Sequence, residues 1–143
     1  MYQELDNTYQ QTKILAEKDQ LTQIANRHQF QNHAEVSLSV PNINRSIWVL
    51  YLDLDNFKFV NDKYGHQIGD SILVAFAQRI SNICDTYQSH HYATCMVSRL
   101  SGDEFSVFIN APANSGNVAK DFSDQLLAPM QHGFITELGN FPI

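Results

Sequence analysis

Six consecutive apolar residues, Ile47-Trp-Val-Leu-Tyr-Leu52, run directly into Asp53-Leu-Asp-Asn56. An unbroken apolar run, rather than an alternating one, reads as a strand covered on both faces at the centre of an α/β sheet. Its abrupt polar end puts carboxylates at the C-terminal mouth of a buried strand, a common place for ligands in sheet proteins. The remaining segments supply the layers around it. Asn26 fits an N-cap for a helix to about Leu38, with Phe30 and Ala34 inward. From about Asp70 to Cys84, residues Ile72, Leu73, Phe76, Ala77, Ile80 and Ile83 recur at helical spacing. Tyr92–Arg99 and Glu104–Ile109 read as a hairpin with Gly102 in its turn, and Val118–Met130 as a last helix. Ser39–Ser46 and residues 110–117 read as loops. The order predicts an α/β or α+β sandwich with a central, mainly antiparallel sheet.

The length of 143 residues suits one domain, and 43% hydrophobic residues suffice for a core. A net charge of −6 argues against a nucleic-acid partner. It leaves an anionic small ligand open, because a metal ion can supply local positive charge. Cys84 and Cys95 both fall in apolar patterns and read as buried free thiols, which suits a reducing cytoplasm. The polar start lacks an apolar secretory region, and no run approaches the roughly 20 apolar residues of a membrane span. Residues 1–17 read either as a lead-in signalling helix or linker, with Leu5 and Tyr9 four apart, or as a frayed terminus; the domain proper then spans 18–143.

Asp53 and Asp55 end one strand, and Asp103 and Glu104 sit at the hairpin tip. If the two strands are neighbours, Asp53 and the hairpin acids face each other and repel unless a cation lies between them. Mg2+ (or Mn2+) suits such oxygen ligands and shares them with phosphates. Two such ions would polarise a triphosphate and activate a hydroxyl. The alternative is a set of solvated turn acids, and Asp55 reads that way. Asn56–Lys58 offers a turn whose amides can cradle phosphate, while Lys58 itself reads as a solvated lysine. Asn61 and Asp70 together match the edge of guanine, although Asp70 also fits a helix cap. Gly65 and Gly69 permit a tight backbone between them, and His66 either braces this loop or meets a ligand. An EF-hand is excluded because Lys58 and Tyr64 occupy the positions that need Gly and Glu. No zinc spacing is present, and His90-His91 reads as a solvated loop.

Three blocks resemble GGDEF domains, the diguanylate cyclase family: Asp19-x-Leu-Thr-x-Ile-x-Asn-Arg27, the central block Asp53–Asp70, and Ser98–Phe105. The resemblance runs from about residue 17 to the end and is most specific in the central block. It implies a five-stranded sheet flanked by helices, like nucleotidyl cyclases and the polymerase palm, and condensation of two GTP into cyclic di-GMP. By position, Asp53 and the Leu54 carbonyl would bind Mg2+, and Asp103 and Glu104 would be the metal-linked catalytic carboxylates. Phe57 and Lys58 would meet phosphates through their backbone. Asn61 and Asp70 would read guanine, with His66, Ser101 and Gly102 at the substrate. A 3′-hydroxyl of one GTP would attack the α-phosphate of the other, and each subunit would hold one GTP, so a twofold homodimer is implied.

The chain departs from the family pattern in several places. Gln23 and Ser101 stand where the signatures carry glycine, and Ser101 is expected to weaken rather than abolish function. The family's inhibitory Arg-x-x-Asp would fall at Tyr92–Cys95, without its charged residues. Residues 133–143 read as the lead into a further strand, so the chain is expected to be a fragment of a longer protein, with an attached EAL or sensor domain. The 143-residue piece is expected to have little catalysis by itself. The alternative function is a catalytically weak or inactive GTP-binding regulatory module controlling such a domain. A ligand-free dimerisation domain is a third reading.

Overall fold

The computed structural model describes residues 2–90, 93–130 and 133–141. Along the chain the elements are α1 (Tyr2–Glu17), β1 (Ala25–Asn26), α2 (Arg27–Ser39), β2 (Arg45–Asp53), α3 (Phe57–Tyr64) and α4 (His66–His90). They continue with β3 (Thr94–Ser101), β4 (Glu104–Pro112), α5 (Val118–Met130), β5 (Phe134–Thr136) and β6 (Gly139–Phe141). The main sheet has the order β1-β3-β4-β2. β4 pairs antiparallel with both β2 and β3, and β1 pairs parallel with β3. The fold is α+β with a mixed sheet flanked by helices.

Among the described residues four strands form this sheet, not the expected five. The residues predicted to lead into a further strand turn back at once: β5 and β6 make a separate two-stranded hairpin. Phe134 anchors it edge-on to Phe76 of α4, with ring centroids 6.0 Å apart. The apolar run of β2 is also placed differently from its sequence reading. β4 is its one strand neighbour among the described residues, so β2 is an edge strand and β4 is central. Leu50 is buried, whereas Val49 and Tyr51 on the opposite face are 40% and 70% exposed. The cause is the position of α2, which lies over β3 and reaches β2 through an edge contact of Phe30 with Tyr51 at 6.4 Å.

The core lies between β4 and α4. Phe105, Val107 and Ile109 of β4 meet Ile72, Phe76 and Ile80 of α4, all fully or almost fully buried. Each such side chain contributes roughly 1.5–3 kcal/mol through burial. α4 starts at His66, four residues earlier than predicted, and runs on to His90. Asp70 therefore lies inside the helix and is not its cap. His90 ends the helix with Nδ1 3.1 Å from the Thr86 carbonyl, while His91 and Tyr92 lie outside the described residues. The free-thiol expectation is corrected too. Cys84 of α4 and Cys95 of β3 form a disulfide, with Cα atoms 5.5 Å apart, because α4 packs along β3. Asn26 caps α2 as predicted, accepting from the Gln29 amide at 3.0 Å.

Candidate active site

The register of β2 on β4 sets Asp53 directly across from Glu104. A bulge between Arg99 and Ser101 lets Ser101 pair with Glu104 from the other side. Gly102 turns the hairpin at φ +41°, and the Leu54 amide donates to the Asp103 carbonyl at 3.4 Å. Asp53 and Glu104, on paired strands, and Asp103, in the hairpin turn, thus lie at the same end of the sheet. A hydrogen bond with Asp103, and then the like charge of Asp103, push the exposed Asp53 carboxyl above its usual range. A cation bound between the two acids would relieve that repulsion.

This donor set fits a hard divalent cation. It consists of carboxylate oxygens beside the backbone of Leu54, without sulfur or imidazole. Among the described residues no three His, Cys, Asp or Glu side chains converge closely enough to cage a metal alone. An ion here would depend on water or ligand oxygens as well, which is how Mg2+ binds with phosphates. A cleft of about 340 Å³ opens beside the acids, lined by Arg27, Tyr51, Leu52, Asp53, Leu100 and Glu104, among others. Arg27 is fixed there by its Nε donating to the Leu100 carbonyl at 3.3 Å. Sequence reasoning recorded Arg27 as a signature letter and gave it no place at the cleft.

Three residues beyond Asp53, Asn56 adopts a left-handed conformation (φ +61°) and starts α3 without a side-chain cap. The amides of Phe57 and Lys58 are therefore first-turn helix donors without intrahelical acceptors, rather than the predicted turn nest. Lys58 and Asp55 are exposed. Asn61 is half-buried on α3, and its amide lies over Gly69, where an added Cβ would overlap it. That contact sets Asn61 beside the helical turn carrying Asp70, which is exposed. Gly65 at φ +91° makes the corner between the helices, and exposed His66 opens α4.

A second set of contacts braces the hairpin from its other flank. Arg99 Nη1 donates to both Asp19 carboxylate oxygens at 3.2 Å, and Arg99 Nε donates to the Gly102 carbonyl at 2.8 Å. Asp19 also accepts from the Thr22 hydroxyl at 2.7 Å and the Thr22 amide at 2.9 Å. Burial works to raise the Asp19 carboxyl, but Thr22 and then Arg99 outweigh it, and the net shift is downward. This pairing spans 80 residues, and no local pattern announces it. Ser101 Oγ donates to Glu104 Oε2 at 3.0 Å.

A family model described as "Diguanylate cyclase, GGDEF domain" matches residues 16–137. The biofilm architecture maintenance protein MbaA of Vibrio cholerae is 50% identical over the whole chain, which spans 18% of that protein. Diguanylate cyclase TpbB of Pseudomonas aeruginosa is 38% identical over 81% of the chain and 25% of its own length. The chain thus spans a quarter or less of these relatives. Among solved structures, the GGDEF domain of TpbB superposes with a TM-score of 0.72 at 34% identity, covering 86% of this chain and 67% of that one. The coiled coil and GGDEF domain of DgcB from Caulobacter crescentus, in complex with c-di-GMP, gives 0.69 at 25% identity, covering 87% and 61%. With the family model spanning most of the described fold, and with the acids, hairpin and helix corner assembled as above, this chain belongs to the GGDEF family of diguanylate cyclase domains.

Proposed function

We propose that this domain binds GTP with Mg2+ (or Mn2+) and, as a twofold homodimer, condenses two GTP into cyclic di-GMP. The observation that carries this reading is the placement of Asp53, Asp103 and Glu104 at one end of the sheet, with Asp53 pushed up by Asp103. Asp53, the Leu54 carbonyl, Asp103 and Glu104 would hold the cation. When bound, it would polarise the phosphates and stabilise charge that develops on them. Asp103 and Glu104 would also accept the proton of the attacking 3′-hydroxyl at a carboxylate oxygen. The free amides of Phe57 and Lys58 would bind phosphate oxygens. Asn61 and Asp70 would read the guanine edge, and His66, Ser101 and Gly102 would border the nucleotide. One chain carries one such mouth, and the reaction joins two nucleotides, so two chains must face each other.

Residues 18–143 form the nucleotide domain in this reading, and α1 is its lead-in helix. Among the described residues no helix is long and apolar enough to cross a membrane. The GTP supply places the domain in the cytoplasm. An attached EAL or sensor domain is part of this reading; a second activity on the same chain has a parallel in the bifunctional diguanylate cyclase/cyclic di-GMP phosphodiesterase MucR of Pseudomonas aeruginosa, 35% identical over 82% of this chain. Calorimetry with GTP and Mg2+ is expected to show binding at one site per chain, and the protein carrying this chain is expected to release cyclic di-GMP. Absence of GTP binding by folded protein overturns the reading. Binding without turnover replaces it with the regulatory module.

A further inference from the structure

Glu104 is paired in register with a different kind of side chain on each side. Asp53 faces it from β2 with a like charge, and Ser101 faces it from β3 with a hydroxyl. Among the described residues Ser101 is the side chain that donates to Glu104, at 3.0 Å on Oε2. Glutamate has three side-chain torsions and here is exposed, so nothing in its packing fixes the carboxylate. Residue 101 lies outside the left-handed region: the non-glycine residues with positive φ are Gln23 and Asn56. A serine side chain is thus accommodated at this position without backbone strain.

We propose that the Ser101 hydroxyl is a positioning group for Glu104, holding Oε2 so that Oε1 is presented to the cation site shared with Asp53 and Asp103. The proposal rests on the diguanylate-cyclase-type reading of that site and adds to it a role for the residue that replaces glycine. A hydroxyl donating to one oxygen leaves the carboxylate a one-oxygen ligand in a set orientation. It also fixes the side chain before the cation arrives, so less freedom is lost on binding. Outer-shell hydrogen bonds of this kind usually change metal affinity by about 10–100-fold. For a solvent-exposed pair the expected change is smaller, about three- to tenfold.

The test uses the whole chain with Ser101→Ala, Ser101→Thr and Glu104→Gln, alone and combined. Mn2+ affinity is measured by calorimetry, and the Glu104 rotamer by three-bond NMR couplings in metal-free protein. Ser101→Ala is expected to weaken Mn2+ binding about three- to tenfold and to average the Glu104 couplings, with an unchanged melting temperature. Ser101→Thr, which keeps the hydroxyl, is expected to restore both. In the Glu104→Gln background, Ser101→Ala is expected to change affinity no further. If wild-type chain binds Mn2+ but Ser101→Ala leaves affinity and couplings unaltered, the positioning role is overturned alone. If wild-type chain binds no Mn2+, the cation reading of the site falls and this role falls with it.

Discussion

Asp19 and Asp53 sit on opposite flanks of the same β3–β4 hairpin, and their carboxyls shift in opposite directions. Asp19 is 18% exposed, grips the Arg99 guanidinium with both oxygens and takes two more hydrogen bonds from Thr22. Asp53 is exposed, pairs in register with Glu104 and is pushed up by Asp103. One acid has every partner it needs inside the fold. The other has a neighbour of its own sign, Asp103, whose repulsion the proposed cation would relieve. That difference is what the proposed function turns on: Asp19 is satisfied within the fold, whereas Asp53 is the acid to which a ligand role is assigned.

The sharpest way to break the comparison is Asp53→Asn. It removes a like charge from the mouth and, in the proposed reading, a ligand from the cation, so cyclic di-GMP formation by the protein carrying this chain is expected to fall at least about 100-fold. Thermal stability is expected to stay level or rise. A large loss of melting temperature with retained turnover would place Asp53 in the structural class beside Asp19.

Gly69→Ala extends the test to the nucleotide base. The new methyl would displace the Asn61 amide, the movable end of a side chain, so the helix pair should still fold. GTP affinity is expected to drop about tenfold, or about 1.4 kcal/mol, with a near-wild-type melt. Unchanged GTP affinity by calorimetry would remove Asn61 from the base site.

On the other flank, Arg99→Ala strips Asp19 of its ion pair and the Gly102 carbonyl of its donor. The pair is largely but not fully buried, so a loss of about 1–2 kcal/mol in urea unfolding is expected. The two acids also predict opposite pH signatures. Asp19 has a folded value below the unfolded 3.8, so its stabilisation is complete above that pH and is lost as pH falls through the folded value. Asp53 has a folded value above 3.8, so the folded state binds the extra proton and stability falls as pH rises through that window. Urea melts between pH 2 and about 6 check this: Asp19→Asn should flatten the acid-side loss, and Asp53→Asn the opposite slope. Matching slopes for the two variants would erase the distinction.

How far the sequence carried these conclusions depends on whether a feature is local. Asn26 as a cap, the α5 boundaries and the hairpin turn at Gly102 were legible because each is specified within a few residues. The position of β2 was not, since an apolar run records burial on one face as readily as on two, and Tyr51 is exposed. The start of α4 was misread because Asp70 fits a helix cap and Gly69 a tight loop, whereas the missing Cβ of Gly69 makes room for Asn61 from another helix. Asp53, Asp103 and Glu104 were identified as ligand candidates, but their meeting depended on strand register. The Asp19–Arg99 pair and the Cys84–Cys95 disulfide are tertiary facts, and no periodicity encodes them.

The two replaced glycines refine the contrast at the smallest scale. Gln23 lies in the structural turn after Asp19 with φ +63°, where a Cβ is strained. Its Nε2 donates to the Gln20 carbonyl at 2.7 Å, which offsets part of that strain. Glycine would relieve the backbone but add freedom to the unfolded chain, so Gln23→Gly is expected to stabilise by about 0.5 kcal/mol. Ser101 lies outside that region, so Ser101→Gly brings the unfolded-state penalty without relief and loses the bond to Glu104. It is expected to destabilise by about 0.5 kcal/mol. Paired urea melts therefore should move in opposite directions for the same change of residue type. Movement in the same direction would mean that backbone conformation does not separate the two sites, and that the hydroxyl at 101 has no structural counterpart in Gln23.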